Sequence, residues 1–322
     1  MLRIVAAAAL AMAASTAMAQ NYPARPITVV VPYAAGGPVD TVARIAAARM
    51  SELLGQQMII ENVGGAGGMT GTARVSKAAP DGYTVLLSGS AVLSQVPQIY
   101  ARPLYHPLND FDHVALFNDS ARVLIVRKDF PASNWAEFAS YAKANAKDLK
   151  YGSAGMGSGS HTCAVLIDMA LGVSLTHVPY RGAGPAMQDL IGGRIDFIPE
   201  QISTATPQIK GGTVKPIVTF GTERAPGLET VPAAPELGLK GLDCGAWGGF
   251  SVPKGTPKAI IDRLAKATAD AIDTPAVIER YKGIGVVVPA KDRRTPEYFS
   301  KFVKGEIERW GVPIKAAGMR IE

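Results

Sequence analysis

Cysteine, histidine and aromatic residues are scarce in this chain: two cysteines, four histidines and 7% aromatics in 322 residues. Two cysteines cannot build a disulfide-rich scaffold. His106, His113, His161 and His177 fall at none of the tight spacings of metal-binding helices, so no metal is expected. A strong charge of one sign is missing too. The formal charge of +6 falls by one, to +5, when Arg3 leaves with the leader described next. That balance suits anionic ligands, but without basic clusters or interleaved aromatics it excludes a nucleic-acid groove. Also lacking is any apolar run of the roughly 20 residues a membrane span needs. Met1-Leu2-Arg3, the shorter run Ile4 to Ala14 and the small residues Ala17-Met18-Ala19 read instead as a secretory signal peptide over 1–19, cleaved near Ala19. No cysteine stands at the cleavage site to carry a lipid, so the mature chain is expected to be exported and soluble. An oxidising compartment permits a disulfide between Cys163 and Cys244; two small buried thiols are the alternative.

What the chain has in quantity is glycine and proline, 34 and 23 residues interleaved with apolar runs, which means many short, specific loops. The stretch from Val29 to Arg44 sets the theme. An apolar, β-branched run ends at Pro32, and Tyr33-Ala34-Ala35-Gly36-Gly37 leads into an amphipathic helix over 40–54, with Asp40 in its first turn. Bare backbone N–H groups at a helix mouth hold an anion without a charged side chain. A strand over 58–61 runs into Gly64-Gly65-Ala66-Gly67-Gly68 before a helix over 72–78. A strand over 84–87 ends at Ser88-Gly89-Ser90. Strands are expected over 113–117 and 123–126, separated by Asn118-Asp119-Ser120, and a helix over 134–146. The theme returns at Ser158-Gly159-Ser160-His161 before a helix over 162–171, and at Tyr180-Arg181-Gly182 before a helix over 186–191. A short strand ends at Glu200, another covers 215–220, and a further one covers 246–252. Helices over 258–273 and 296–317 finish the chain. Repeated strand, loop and helix argue for α/β lobes built on mostly parallel sheets, with ligand at the carboxyl ends of the strands.

The glycine loops fail every nucleotide test. G-x-x-x-x-G-K-[ST] is absent; Gly155, Gly157 and Gly159 are followed by Ser160 where the dinucleotide fingerprint needs glycine; G-x-S-x-G is absent as well. What survives is a set of N–H donors and hydroxyls at helix starts with Arg181, and no acid, base or nucleophile set. That inventory suits reversible carboxylate binding. Alternatives stay open residue by residue. Arg181 can be a surface arginine paired with Asp189 or Glu200, Tyr33 and Tyr180 can be rim packing, and His161 can be a structural loop residue. Asp40 and Glu200 suit waters or ligand donors better than a carboxylate, and Trp247 suits a hinge or core better than a ligand platform.

Pro32-Tyr33-Ala34-Ala35-Gly36-Gly37 with Asp40, Glu61-Asn62 with the Gly65–Gly68 loop, Pro80-Asp81-Gly82-Tyr83, Tyr180-Arg181-Gly182 and Val252-Pro253-Lys254-Gly255-Thr256-Pro257 resemble the solute-binding receptors of tripartite tricarboxylate transporters, the Bug or TctC type. The resemblance spans the mature chain. It implies a periplasmic, non-enzymatic, monomeric receptor of the two-lobed flytrap fold, type II-like. It would close on a small organic acid without a cofactor and deliver it to membrane permease subunits. The first lobe would comprise 20–121 and 248–322 and the second 122–247, with hinge strands near 118–122 and 245–248. The implied ligand residues are Tyr33 to Gly37 with Asp40, Gly65, Gly67 and Gly68, Ser88 and Ser90, Ser158, Ser160 and His161, Tyr180 to Gly182, and Glu200. Tricarboxylates, C4 dicarboxylates, acidic amino acids, nicotinate-like acids and aromatic dicarboxylates such as phthalates all fit, at micromolar Kd or tighter, about −8 kcal/mol. An exported enzyme acting on a carboxylate and a sensor that signals to a partner are the competing readings.

Overall fold

In the computed structural model, which describes residues 22–322, ten strands form two five-stranded sheets; the predicted leader lies outside the described residues. The first sheet takes β1 (Ile27–Val31), β2 (Met58–Asn62), β3 (Thr84–Gly89), β4 (Phe111–Ser120) and β10 (Ala246–Pro253), in the order β2-β1-β3-β10-β4. The second takes β5 (Arg122–Arg127), β6 (Lys150–Ser153), β7 (Thr176–Pro179), β8 (Phe197–Gln201) and β9 (Val214–Phe220), in the order β7-β6-β8-β5-β9. β1 pairs in parallel with β2 and β3 on its two sides and buries every residue but Thr28. An almost unbroken apolar strand belongs at the centre of such a sheet.

Each sheet has one reversed strand, and in both it is the strand that follows a crossing between the sheets. β5 follows β4 after Ala121 and pairs antiparallel with β8 and β9. β10 follows the return from β9 and pairs antiparallel with β3 and β4. The other strands run toward the space between the sheets and end there, whereas a crossing strand starts there. This polarity places the first residues of β5 and β10 beside the carboxyl ends of the others.

Helices cover the sheet faces. α1 (Pro38–Leu54) has proline in its first turn, ends at Gly55 in the left-handed conformation, and buries Val42, Ile45, Ala46 and Met50 on the predicted face. α2 (Met69–Ser76), a π-helical turn over Ala91–Gln95 and α3 (Val96–Ile99) complete the first lobe's early half. The second lobe carries α4 (Trp135–Ala144), α5 (Gly159–Leu171), α6 (Ala183–Ile191) and α7 (Ile202–Lys210); α8 (Lys258–Ile272), α9 (Pro275–Gly283) and α10 (Pro296–Ala316) follow β10. α10 reaches both lobes. Its Phe299 and Val303 pack in the first lobe with Trp247, while Trp310 and Ile314 join the second lobe's core with Leu124 and Phe138.

Sequence and structure differ at several elements. β4 continues through Asn118-Asp119-Ser120, expected as a separator, because a crossing strand keeps pairing with β10 up to Ser120. α6 begins at Ala183, before Pro185, because proline is tolerated in a first turn. The helical segments over 91–99, 202–210 and 275–283 were not expected. All three contain an early or internal proline, Pro97, Pro207 and Pro275, and the first is wound partly as a π-turn. Cys163 in α5 and Cys244, just ahead of β10, are disulfide-bonded, with Cα atoms 5.5 Å apart.

Candidate ligand-binding cleft

A cleft enclosing about 690 Å³ of non-atom space lies where the strand ends of the two sheets face one another. Of the residues expected at the ligand, Tyr33, Gly37, Ser88, Ser90, Ser158, Ser160 and Glu200 line it. Asn118, Arg122, Gln201, Trp247 and Gly248 line it as well, and all stand at or beside the crossings.

Arg122 was not among the expected residues. It is the first residue of β5, 5% exposed, and walls the cleft from the second lobe. Among the described residues no carboxylate comes within 4.0 Å of its guanidinium and none hydrogen-bonds to it. Burial lowers its pKa, offset in part by Glu200 and Tyr33 nearby, and a guanidinium stays charged through such a shift. It lies against the first turn of α5, so close that a methyl group on Gly159 would overlap it. A cation at the positive end of a helix is electrostatically unfavourable unless an anion sits between them. The N-terminal residues of α1 and α6, Pro38 and Ala183, border the same space. Three helix starts and a buried, unpaired guanidinium thus converge on one cavity. The sequence signal for Arg122 was a charge joined directly to the apolar run Val123 to Val126, just after the crossing.

Hydroxyls supply further polarity. Ser158 caps α5 by accepting from the His161 N–H at 3.4 Å, and Ser160 Oγ accepts from the Ala154 N–H at 2.9 Å. Ser88 Oγ donates to the Gly249 carbonyl at 2.9 Å and accepts from Ser251 Oγ at 2.9 Å. Ser251 is in turn 2.9 Å from His113 Nδ1. The Tyr33 hydroxyl donates to the Gly67 carbonyl at 2.9 Å, and Trp247 donates from Nε1 to Glu306 at 2.8 Å.

The remaining expected residues shape the site from behind or where the lobes meet. Asp40 is buried and accepts hydrogen bonds from the Gly36 N–H, Arg44 and Asn62, at 3.0, 2.9 and 2.9 Å. Burial pushes its pKa up, but those hydrogen bonds, that of Arg44 first, hold it below the usual carboxylate value. Asn62 also donates to the Tyr33 carbonyl at 3.1 Å, so Asp40 organises the first loop rather than facing the cavity. The Ala34 N–H donates to the Arg181 carbonyl at 3.1 Å, which joins the lobes. The Arg181 side chain is exposed; Asp189 pairs instead with Arg194 and with the Tyr180 hydroxyl, at 2.7 Å each. Ala35, Gly182 and Gly64 are within a methyl group's reach of backbone on the opposite lobe. Gly65 and Gly68 flank Gly67 in the second loop, and all three have positive φ.

Gly67 itself packs against the Met156 carbonyl of the second lobe, where a Cβ would overlap it. Gly67→Ala is therefore expected to prop the lobes apart and weaken ligand binding at least tenfold. At φ +64° the added methyl costs about 1–2 kcal/mol of backbone strain, too little to unfold the chain. Titration with a bound acid and small-angle scattering check this; wild-type affinity together with a wild-type closed radius would refute it.

His161 accepts from the Gly157 N–H through Nδ1 at 3.1 Å and stacks on His177, ring centroids 4.2 Å apart; His177 stacks on Tyr151 and lies 2.6 Å from Ser153 Oγ. Burial pushes His161 and His113 down to about 4 and His177 to about 3, the last helped by His161. A depressed histidine pKa leaves stability intact above the unfolded value of about 6.5 and removes it as pH falls toward the folded value. Asp168, raised by burial to about 6, acts in the opposite sense between roughly pH 4 and 6. Asp119 and Glu200, also raised by burial, act in the same sense as Asp168. The expected result is therefore a contrast: between pH 7 and 4.5 the melting temperature falls less in His177→Gln than in wild type. Melts across that range decide it; equal slopes in variant and wild type would remove the histidine stack as the cause.

Two lobes joined by crossing strands, with a cleft between them that holds a buried guanidinium and three helix starts, are the build of a solute-binding receptor. The chain belongs to the tripartite tricarboxylate transporter receptor family, TctC, whose model matches residues 42–319. A UPF0065 protein of Agrobacterium vitis is 42% identical over 298 residues, covering 92% of this chain and 86% of that protein. The periplasmic binding protein BugD superposes with a TM-score of 0.91 at 40% identity, covering 94% of this chain and all of BugD. MatC from Rhodopseudomonas palustris, solved with bound malate, gives a TM-score of 0.89 at 40% identity, covering 91% of this chain and all of MatC. The family and these neighbours are binding proteins, and this chain is a receptor rather than an enzyme.

Proposed function

We propose that this receptor captures a small organic carboxylate or dicarboxylate in the interlobe cleft, in the periplasm, and hands it to the permease of a tripartite tricarboxylate transporter. The observation that carries the reading is Arg122, a buried guanidinium with no carboxylate within 4.0 Å among the described residues, set against the first turn of α5. One ligand carboxylate takes the guanidinium as a planar, two-pronged partner, with Ser158 and Ser160 beside it. Tyr33, Gly37, Ser88 and Ser90 meet the ligand from the first lobe, and Gly64–Gly68 with Tyr180–Gly182 close the mouth. Malate, bound in the related MatC, is a small dicarboxylate of this class. Sheet membership supports division of the chain into 20–121 with 248–322 and 122–247. Rotation about the two crossings would then open the cleft.

A thermal-shift screen over mono-, di- and tricarboxylates, aliphatic and aromatic, tests the reading. An acid present at about 100 times its Kd is expected to add about 2.7 kcal/mol of stability. A panel in which no acid shifts the melt would overturn it. Recovery of the permease subunits from membranes, dependent on that acid, tests delivery.

A further inference from the structure

Beside Arg122, the cleft wall carries two buried side-chain oxygens without a hydrogen-bond partner among the described residues. Glu200 is 1% exposed; its Oε1 accepts from the Thr204 hydroxyl at 2.8 Å and from the Gln201 N–H at 3.0 Å. Those bonds pin the carboxyl group, and its Oε2 is buried without a partner. Asn118, on the first lobe, is 2% exposed with Oδ1 likewise buried and unpartnered. Both residues line the cavity that Arg122 lines. A buried acceptor left unmet costs roughly 1–3 kcal/mol, and two in one cavity mark a place where a ligand brings donors. A side-chain amide can turn to exchange its oxygen and nitrogen. Burial raises the Glu200 pKa against the pull of the Thr204 hydroxyl, Arg122 and the Gln201 N–H, and wherever the group is ionised its pinned carboxyl offers only an acceptor.

We infer that Glu200, with Asn118 opposite, is the specificity-determining residue of the cleft, selecting carboxylates that also carry a hydrogen-bond donor, a hydroxyl or an ammonium group. This rests on the reading of the cleft as a carboxylate site. Arg122 takes the carboxylate, and the donor a few bonds away supplies the hydrogen that Glu200 Oε2 lacks. A plain diacid brings acceptors only. It leaves Oε2 unmet, so the site discriminates through the missing donor. Rejection of ligands that lack a required donor is the stronger form of discrimination, because the buried partner stays unpaired.

Calorimetric titration of the mature chain at pH 7.5 with succinate, malate and aspartate tests this, since the three share a C4 diacid frame and differ only in the donor. Malate or aspartate, or both, is expected to bind at least tenfold more tightly than succinate. Which of the two leads separates a hydroxyl from an ammonium donor. Glu200→Gln removes the charge at constant shape; it is expected to bring the favoured ligand within threefold of succinate while leaving the unliganded melt near wild type. Succinate binding within threefold of both ligands in the wild type would overturn the inference while leaving the carboxylate reading standing, and that comparison needs no variant to fold. An unchanged ratio in a folded Glu200→Gln protein would overturn it also. Failure of every acid in the wider panel to bind would defeat the carboxylate reading itself, and this inference with it.

Discussion

Arg122→Met is expected to weaken binding of the ligand acid by a factor of about 30 to several thousand without lowering the melting temperature of the unliganded protein. The first part follows from the loss of one partner in a desolvated ion pair, about 2–5 kcal/mol, at 1.4 kcal/mol per tenfold. The second follows from what Arg122 does when no ligand is bound. Its guanidinium is buried, unpaired and packed against a helix start, a placement that costs the fold energy. Replacing a whole buried ion pair by apolar groups is often neutral or stabilising, whereas removing one partner of a pair destabilises. No carboxylate lies within 4.0 Å of Arg122 among the described residues, so the substitution breaks no contact pair, and only the longer-range attraction to Glu200 is lost. Function and stability therefore move in opposite directions at this position, as expected where a binding site holds charge in reserve. Titration and melts of the same preparation give both numbers. Affinity within threefold of wild type would take Arg122 out of the site, and a lower unliganded melting temperature would show that it supports the fold. Arg181→Ala is the matched control. With its side chain exposed and its carbonyl making the lobe contact, it is expected to change stability by less than about 0.5 kcal/mol.

Removal of the disulfide is expected to be the most destabilising simple change. Cys163 and Cys244 are 81 residues apart in sequence, and chain-entropy arguments assign a loop of that length about 4.5 kcal/mol. For a chain of this size that corresponds to a fall of about 10 °C in melting temperature. Both positions are buried in the second lobe's core, so paired alanines are the better replacement, since serine would bury two hydroxyls as well. The bond ties α5, whose first turn faces the cleft, to the segment that returns the chain to the first lobe. Melts of Cys163→Ala/Cys244→Ala against wild type, with and without reductant, measure the effect. A loss of less than about 1 kcal/mol would show that helix packing alone holds this junction.

Elements set by local patterns were legible from the residues alone. β1 reads from an unbroken β-branched run. α1 reads from apolar spacings of three and four with Pro38 before them and Gly55 after them. Segments that tertiary contacts hold against their own propensity were not. α7 carries Pro207 and a run of serine and threonine, yet Ile202 and Ala205 anchor it in the second lobe's core.

The cleft divides along the same line. By itself the sequence determined an α/β chain with repeated strand, glycine loop and helix, and it pointed to an anion held at helix starts, because loop conformation and helix polarity are local properties. Only the tertiary structure decided which of those loops face the cavity and which face the other lobe. Gly36, Gly65 and Gly67 satisfy the same local rule as Ser158 and Gly159, but only the second group lines the cavity, and Gly67 meets Met156 of the other lobe instead. It also decided that the buried cation is Arg122 and not Arg181. An apolar run, Val123 to Val126, follows the first and a glycine turn follows the second, and neither pattern by itself says which guanidinium the lobes bury. One begins a crossing strand whose reversed direction starts it inside the cleft, and the other lies on a turn at the rim, where water reaches its side chain.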